Sequence, residues 1–270
     1  MAKAKVLIFS GYGTNCEKET AYSAKIVGSK EVIVAHFSEI VQERVKLTNY
    51  NFIIFPGGFL DGDRLGAAQA ASVRIKFTKT RSGKSLIEML KFVIDNGGLI
   101  LGICNGFQLL VKLGFLPSCK GKYFERHVSL TYNDSAKFED RWVYLKCNHN
   151  SKCVFTTGLD RLFLPIRHGE GKIVALNEEI VESLRRDGHI VMQYTDPNGN
   201  ITYDYPYNPN GSILSIAGLT DPSGQVFGLM PHPEAFNHFT NHPMWTRREV
   251  KEPLGIEIFR NAVKFLEQNT

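Results

Sequence analysis

The chain has 270 residues, 43% hydrophobic and 22% charged, which is enough to bury a substantial core and excludes a disordered segment. A formal net charge of +5, with the basic residues scattered, suits an anionic partner but is too weak to argue for nucleic-acid binding. No apolar run approaches the roughly 18 residues of a bilayer span. Met1-Ala-Lys-Ala-Lys5 leads straight into a strand-like segment with no secretory h-region. The five cysteines, Cys16, Cys104, Cys119, Cys147 and Cys153, form no CxxC pair. They suit free thiols in a reducing compartment, so a cytoplasmic location is expected.

Lys5 to Ser10 reads as a buried strand, Gly11-Tyr-Gly-Thr-Asn15 as a loop and Glu17 to Val27 as a helix. Cys16, at that helix start, fits a helix cap as well as a chemical role. Glu31 to His36 and Phe52-Ile-Ile-Phe55 are further strands, the second stopped by Pro56-Gly57-Gly58. Strand and helix alternating at this spacing predict right-handed crossovers and a parallel sheet. Asp61 to Ser85 carries Arg64, Arg74, Lys76, Lys79, Arg81 and Lys84. It reads as a solvated face or mobile insertion, or else as a docking surface for an acidic or phosphate-bearing partner. Leu86 to Asn96 is a helix closed by Asn96-Gly-Gly98.

Gly97-Gly-Leu-Ile-Leu-Gly-Ile-Cys104-Asn-Gly-Phe-Gln108 follows, an apolar run that ends in a cysteine between Gly102 and Gly106 and continues as a helix. This is the layout of a nucleophile elbow, where small residues allow a tight strand-to-helix turn that lifts a reactive atom above the sheet. The free N–H groups of the helix start attract negative charge there. Beyond it, Trp142 to Cys147, Phe163 to Arg167, Ile190 to Tyr194, Ile213 to Leu219 and Gln225 to Met230 read as short strands that extend the sheet antiparallel. Leu254 to Glu267 has helical periodicity. With no repeat or linker, one domain over 1–270 is expected.

Two more signatures sit at strand ends. In Met230-Pro231-His232-Pro233-Glu234, two prolines with fixed φ hold the imidazole, and Glu234 is placed to accept from one ring nitrogen. Pro56-Gly57-Gly58-Phe59 offers backbone N–H groups to an oxyanion, joined by the amide of Asn105. Each such donor is worth about 3 kcal/mol of transition-state stabilisation. Taken singly, a buried cysteine is a small core residue and Pro-His-Pro a rigid turn. Together, at strand ends where open α/β sheets bind ligands, they supply the nucleophile, base and orienter of acyl transfer.

Gly102-Ile-Cys104-Asn-Gly106-Phe-Gln108 with Pro231-His232-Pro-Glu234 resembles the triad class (class I) of glutamine amidotransferases. More narrowly, the chain is similar to the glutaminase-subunit family of phosphoribosylformylglycinamidine synthases. That likeness rests on Gly13-Thr-Asn-Cys16, Gly57-Gly-Phe-Leu-Asp-Gly-Asp63, His168-Gly-Glu-Gly171, and Asn208-Pro-Asn-Gly-Ser212 through Ile216-Ala-Gly218. The resemblance implies a three-layer, doubly wound, flavodoxin-like α/β fold whose mostly parallel sheet is extended by antiparallel strands. It implies that Cys104 attacks the glutamine amide, His232 serves as base and then acid, and Glu234 orients it. Gly58 and Asn105 would form the oxyanion hole, and Gln108, Gly57 and Phe59 would contact substrate. For Gln108, helix packing or capping is an equal alternative. The resemblance further implies transfer of ammonia to a large synthetase subunit, with a small third subunit left open.

No cofactor is expected in this chain. Gly66-Ala-Ala-Gln-Ala and Gly11-Tyr-Gly-Thr lack the lysine and spacing of a P-loop, so ATP and Mg²⁺ belong to the partner. No metal is expected either: His238 and His242 have i, i+4 spacing but lack a third ligand and precede Pro243. His168-Gly-Glu170-Gly171 reads as a turn with an exposed carboxylate or as a loop beside the glutamine pocket or the synthase interface. His127, His149 and His189 read as surface residues. Ala235 stands where the family usually has Arg, which leaves that residue's contribution to loop or partner contact open. The competing readings are another cysteine hydrolase or glutaminase on this fold, and a noncatalytic interaction module.

Overall fold

The structure, a computed structural model, describes residues 3–269. Met1 and Ala2, where the N-terminal reading begins, and Thr270 at the end of the expected domain lie outside them. In chain order the elements are β1 (Lys5–Ser10), α1 (Glu17–Ile26), β2 (Glu31–His36), α2 (Phe37–Val41), β3 (Phe52–Phe55), α3 (Gln69–Phe77), α4 (Leu86–Asp95), β4 (Leu99–Ile103) and α5 (Asn105–Leu113). There follow β5 (Val128–Thr131), β6 (Glu139–Cys147), β7 (Arg161–His168), β8 (Lys172–Ala175), α6 (Glu178–Arg186), β9 (Ile190–Thr195), β10 (Ile216–Thr220), β11 (Val226–Leu229) and α7 (Glu257–Gln268).

Nine strands form one sheet in the order β2-β1-β3-β4-β11-β10-β9-β6-β7. The first five are mutually parallel, and β10 and β6 alone oppose the direction of the rest. Every residue of β3, β4 and β11 is buried, as uniformly apolar strands covered on both faces must be. The expected α/β architecture with an antiparallel extension is present. Its consequence for function is topological: β1, β3, β4 and β11 are consecutive neighbours, so their carboxyl ends open onto one crevice.

Several expectations need correcting. Asp61–Ser85 contains α3, whose Ala71, Ser72 and Ile75 are buried, so the stretch is no unstructured insertion. The strand expected from Ile213 begins at Ile216, because Leu214 and Ser215 take left-handed φ angles of 52° and 54° and form a turn. His127 and His189 are buried rather than on the surface, and His189 Nδ1 is satisfied by the Thr220 carbonyl at 3.0 Å. The two-stranded sheet β5-β8 was not foreseen, since its four-residue strands carry too short a pattern to stand out from loop.

Candidate active site

β4 ends at Ile103 and α5 begins at Asn105, leaving a single residue for the turn. Cys104 takes φ 51° and ψ −104°, a conformation that costs an L-residue of order 1–3 kcal/mol and survives only where its surroundings impose it. Here they do. A Cβ on Gly106 would stand 2.0 Å from the Phe55 carbonyl oxygen, and one on Gly102 would stand 2.7 Å from that of Gly106. Only glycines let the elbow close onto the neighbouring strand. The Cys104 backbone N–H donates to Leu229 O at 2.8 Å, which ties the nucleophile to β11. The thiol is 5% exposed at residue level and points its S–H at the Arg167 carbonyl, 3.6 Å away.

β11, parallel to β4 with Leu229 opposite Ile103, delivers His232 three residues beyond its end. His232 is 2% exposed, and its backbone N–H donates to Pro165 O of β7 at 2.8 Å. Nδ1 lies 2.6 Å from Glu234 Oε1, and Glu234 is wholly buried. Glu234 Oε2 and His232 Nε2 are buried with no hydrogen-bond partner among the described residues. Burial by itself would drive the imidazole toward neutrality. The Glu234 carboxylate, and after it the Cys104 thiol, outweigh that and hold the His232 pKa well above the ordinary histidine value. An imidazole oriented at Nδ1 and free at Nε2 is equipped to exchange a proton on the Cys104 side.

β3 supplies the third wall. Gly58 has φ 153°, and a Cβ there would meet Gly13 O at 2.6 Å. Among the described residues, neither the Gly58 N–H nor the Asn105 N–H has a protein acceptor. Two unsatisfied amides flanking a cysteine are an arrangement suited to an oxyanion. A Cβ on Gly57 would stand 2.8 Å from His232 Cε1. Its carbonyl accepts from Asn15 and Cys16 N–H groups, so it packs behind the histidine.

Gly58, Phe59, Cys104 and Gln108 line a cavity of about 160 Å³ together with Asp63, Arg167, His168 and Glu170. Phe59 is half exposed at the rim and stacks on Phe138 with centroids 6.3 Å apart. Gln108 accepts from Asn105 Nδ2 at 2.8 Å and donates to the Glu170 carbonyl. Asn105 Oδ1 in turn accepts from Leu60 N–H at 2.8 Å. These side-chain amides hold the walls of the cavity together. The Asn208–Ser212 motif does similar work at a distance, with Ser212 Oγ donating to Gly171 O and accepting from Ile173 N–H.

The His168–Gly171 run, read as a turn or as a loop beside the pocket, lines the cavity, and the structure adds detail at three places. Cys16 caps nothing with its side chain; the buried thiol donates to Asn15 Oδ1 at 3.1 Å and lies beside His232. Its Sγ, a His232 ring nitrogen and a Glu234 oxygen all fall within 4.8 Å of one another. Burial raises the Cys16 pKa, with the His232 contact acting against it. His168 is 3% exposed, and burial followed by the nearness of His232 pushes its pKa down to about 3. Asp63 and Glu170 face the cavity, where burial raises the Asp63 pKa. The Gly-rich runs around Asp63 and Glu170 were the available signal. His238 and His242 do not converge: His238 is an exposed turn residue, while His242 is buried against Trp142, Phe163 and Phe236.

A family model described as a CobB/CobQ-like glutamine amidotransferase domain matches residues 3–266. Phosphoribosylformylglycinamidine synthase subunit PurQ of Dehalococcoides mccartyi is 43% identical over 271 residues, covering 99% of this chain and 100% of that protein. The PurQ subunit of Methanococcus maripaludis strain C7 is 40% identical, covering 98% of both. Among solved structures, PurLQS from Thermotoga maritima superposes with a TM-score of 0.70 at 26% identity, covering 98% of this chain and 100% of that one.

Proposed function

The chain belongs to the CobB/CobQ-like glutamine amidotransferase family, and we propose that it is the glutaminase subunit of a phosphoribosylformylglycinamidine synthase, one domain over its whole length. Glutamine enters the cavity at the strand ends, and as Cys104 Sγ attacks its side-chain amide carbon His232 takes the thiol proton. The oxyanion that forms is met by the Gly58 and Asn105 N–H groups. His232, held by Glu234, gives its proton to the departing nitrogen as the C–N bond breaks, leaving a thioester and ammonia. Water then attacks the thioester with His232 taking its proton, the C–S bond breaks and glutamate leaves. Ammonia passes to a synthetase partner, which uses ATP and Mg²⁺ to convert formylglycinamide ribonucleotide to the amidine in purine biosynthesis, in the cytoplasm.

The observation that carries the catalytic reading is the strained elbow at Cys104 beside a His232–Glu234 pair held at 2.6 Å. The purine assignment is supported by full-length likeness to proteins that carry that name. The test is glutamate release by the chain alone and with its synthetase partner, ATP and formylglycinamide ribonucleotide. Turnover should rise on assembly, and Cys104→Ala should lower it by about 10⁴-fold or more without changing the circular-dichroism spectrum. Glutamine hydrolysis indifferent to the partner and its substrate would move the protein to another synthase. Undiminished hydrolysis by Cys104→Ala would remove the thioester route.

A further inference from the structure

The chain leaves the triad turn at Phe236 and returns to it at Gly255, where the Gly255 N–H donates to Phe236 O at 2.8 Å. A Cβ on Gly255 would stand 2.2 Å from the Pro233 carbonyl oxygen and 2.7 Å from its Cα, so the neck of this loop rests on the backbone between His232 and Glu234. On the outgoing limb, Asn237 Nδ2 donates to Glu234 O at 2.9 Å. The middle of the loop is anchored by His242. Its side chain is fully buried against Trp142, Phe163 and Phe236, and its Nδ1 accepts the Met244 N–H at 3.0 Å. An Arg248–Glu252 ion pair spans the return limb. Anchored at its neck and its middle, the loop has little freedom in where it places its tip.

That tip is apolar and open to solvent. Phe239, Met244 and Trp245 are 50%, 38% and 47% exposed, and the Phe239 and Trp245 rings meet edge to face with centroids 6.3 Å apart. One exposed aromatic is ordinary, but large apolar side chains gathered between positions 239 and 245 mark a contact surface. Arg247 follows, exposed and with no ion pair among the described residues, whereas Arg248 and Lys251 are committed to Glu252 and Glu249. Aromatic residues, Met and Arg are the types enriched where proteins bind one another. An occupant of the tip acts on a loop whose neck bears on the turn that holds the base. That is the place for a protein whose arrival governs glutamine hydrolysis.

Resting on the synthase reading above, we propose that residues 236–255 form a docking surface for the synthetase subunit. Phe239, Met244 and Trp245 enter an apolar recess of that partner, and Arg247 pairs with a carboxylate at its rim. Apolar burial supplies most of the affinity, and the ion pair fixes orientation and raises the on-rate.

The measurement is calorimetric binding of the full chain to its synthetase partner, with glutamate release followed over the same partner concentrations. Trp245→Ala and Phe239→Ala remove exposed side chains, so both should fold and keep the basal glutaminase rate of the isolated chain. Each should weaken partner binding by about tenfold to a hundredfold and raise the partner concentration for half-maximal stimulation by the same factor. Arg247→Glu should weaken binding by about tenfold at low salt and by less at high salt. Folded variants that bind and respond as wild type does overturn the proposal while leaving the glutaminase standing. So does a wild-type dimer in sedimentation velocity that Trp245→Ala dissolves with partner binding unchanged, because a second copy of the chain then covers the tip. If wild type neither binds the synthetase nor responds to it, the synthase reading falls and this one with it.

Discussion

The two reacting residues are brought to the site from unlike places. Cys104 comes from the parallel half of the sheet and is positioned by its own covalent geometry: one residue between strand and helix, a left-handed φ, and glycines that let backbone touch backbone. His232 comes from β11, where the parallel half meets the antiparallel one. It is positioned by partners, the Glu234 carboxylate at Nδ1 and the β7 carbonyl of Pro165 at its backbone N–H. A nucleophile built into the backbone tolerates little local change but needs little help. A base held by side-chain partners depends on residues whose distance in sequence is unconstrained.

Glu234→Gln attacks the base alone, and its effect should be the larger. The folded protein should lose about 10³- to 10⁴-fold in kcat, since an imidazole with the wrong tautomer stays in place but cannot serve. Because Glu234 opposes the effect of burial on His232, its neutralisation should also lower the pKa governing the kcat–pH profile. A profile that does not move would detach Glu234 from the base. Gly106→Ala attacks the elbow alone. Its Cβ, placed 2.0 Å from Phe55 O, should cost about 3 kcal/mol of stability in denaturant melts, because backbone rather than a flexible side chain must yield. A cost below about 1 kcal/mol would show that the elbow is held by something other than close packing.

The third effect concerns His168, on the antiparallel side, and is spread over several pH units. Its folded pKa near 3 lies below the unfolded value near 6.5, so the unfolded chain binds the extra proton in between. Stability is therefore complete above pH 6.5 and falls as the pH drops toward 3, by up to about 1.4 kcal/mol per pH unit. His168→Gln should flatten that part of the stability–pH curve. An unchanged slope would place the titration on other groups, with His189 and His242, whose pKa values burial also lowers, as the next to test.

How much was legible in the sequence divides along the same line. The apolar runs of β1, β3 and β4 and the Gly102–Cys104–Gly106 turn are local patterns, and each lies where its pattern put it. The weaker readings were those in which partners decide. His189 looks solvated among Asp187, Gly188 and Ile190, yet it is buried because β10 offers it the Thr220 carbonyl. Asp61–Ser85 is basic enough to pass for a surface loop, yet Arg74 lies against the Tyr12 ring, 3.9 Å from its centroid, and pairs with Asp61.

By itself, the sequence determined that a cysteine would stand on a strained turn at the end of a buried parallel strand, with a proline-bracketed histidine and a carboxylate two residues beyond it. Those features follow from the conformational range of glycine and proline and from the covalent spacing of His232 and Glu234. Only the tertiary structure decided that Cys16 lies beside His232, that His168 keeps a bare ring nitrogen in the cavity wall, and that Asp63 and Glu170 face one space. Cys16 and Asp63 follow β1 and β3, strands that lie side by side in the parallel half, whereas His168 ends β7, at the far edge of the sheet, and Glu170 follows it. Their meeting is a property of the tertiary fold, which brings the end of β7 to the ends of β4 and β11 through the Cys104 S–H contact with the Arg167 carbonyl and the His232 N–H bond to Pro165 O.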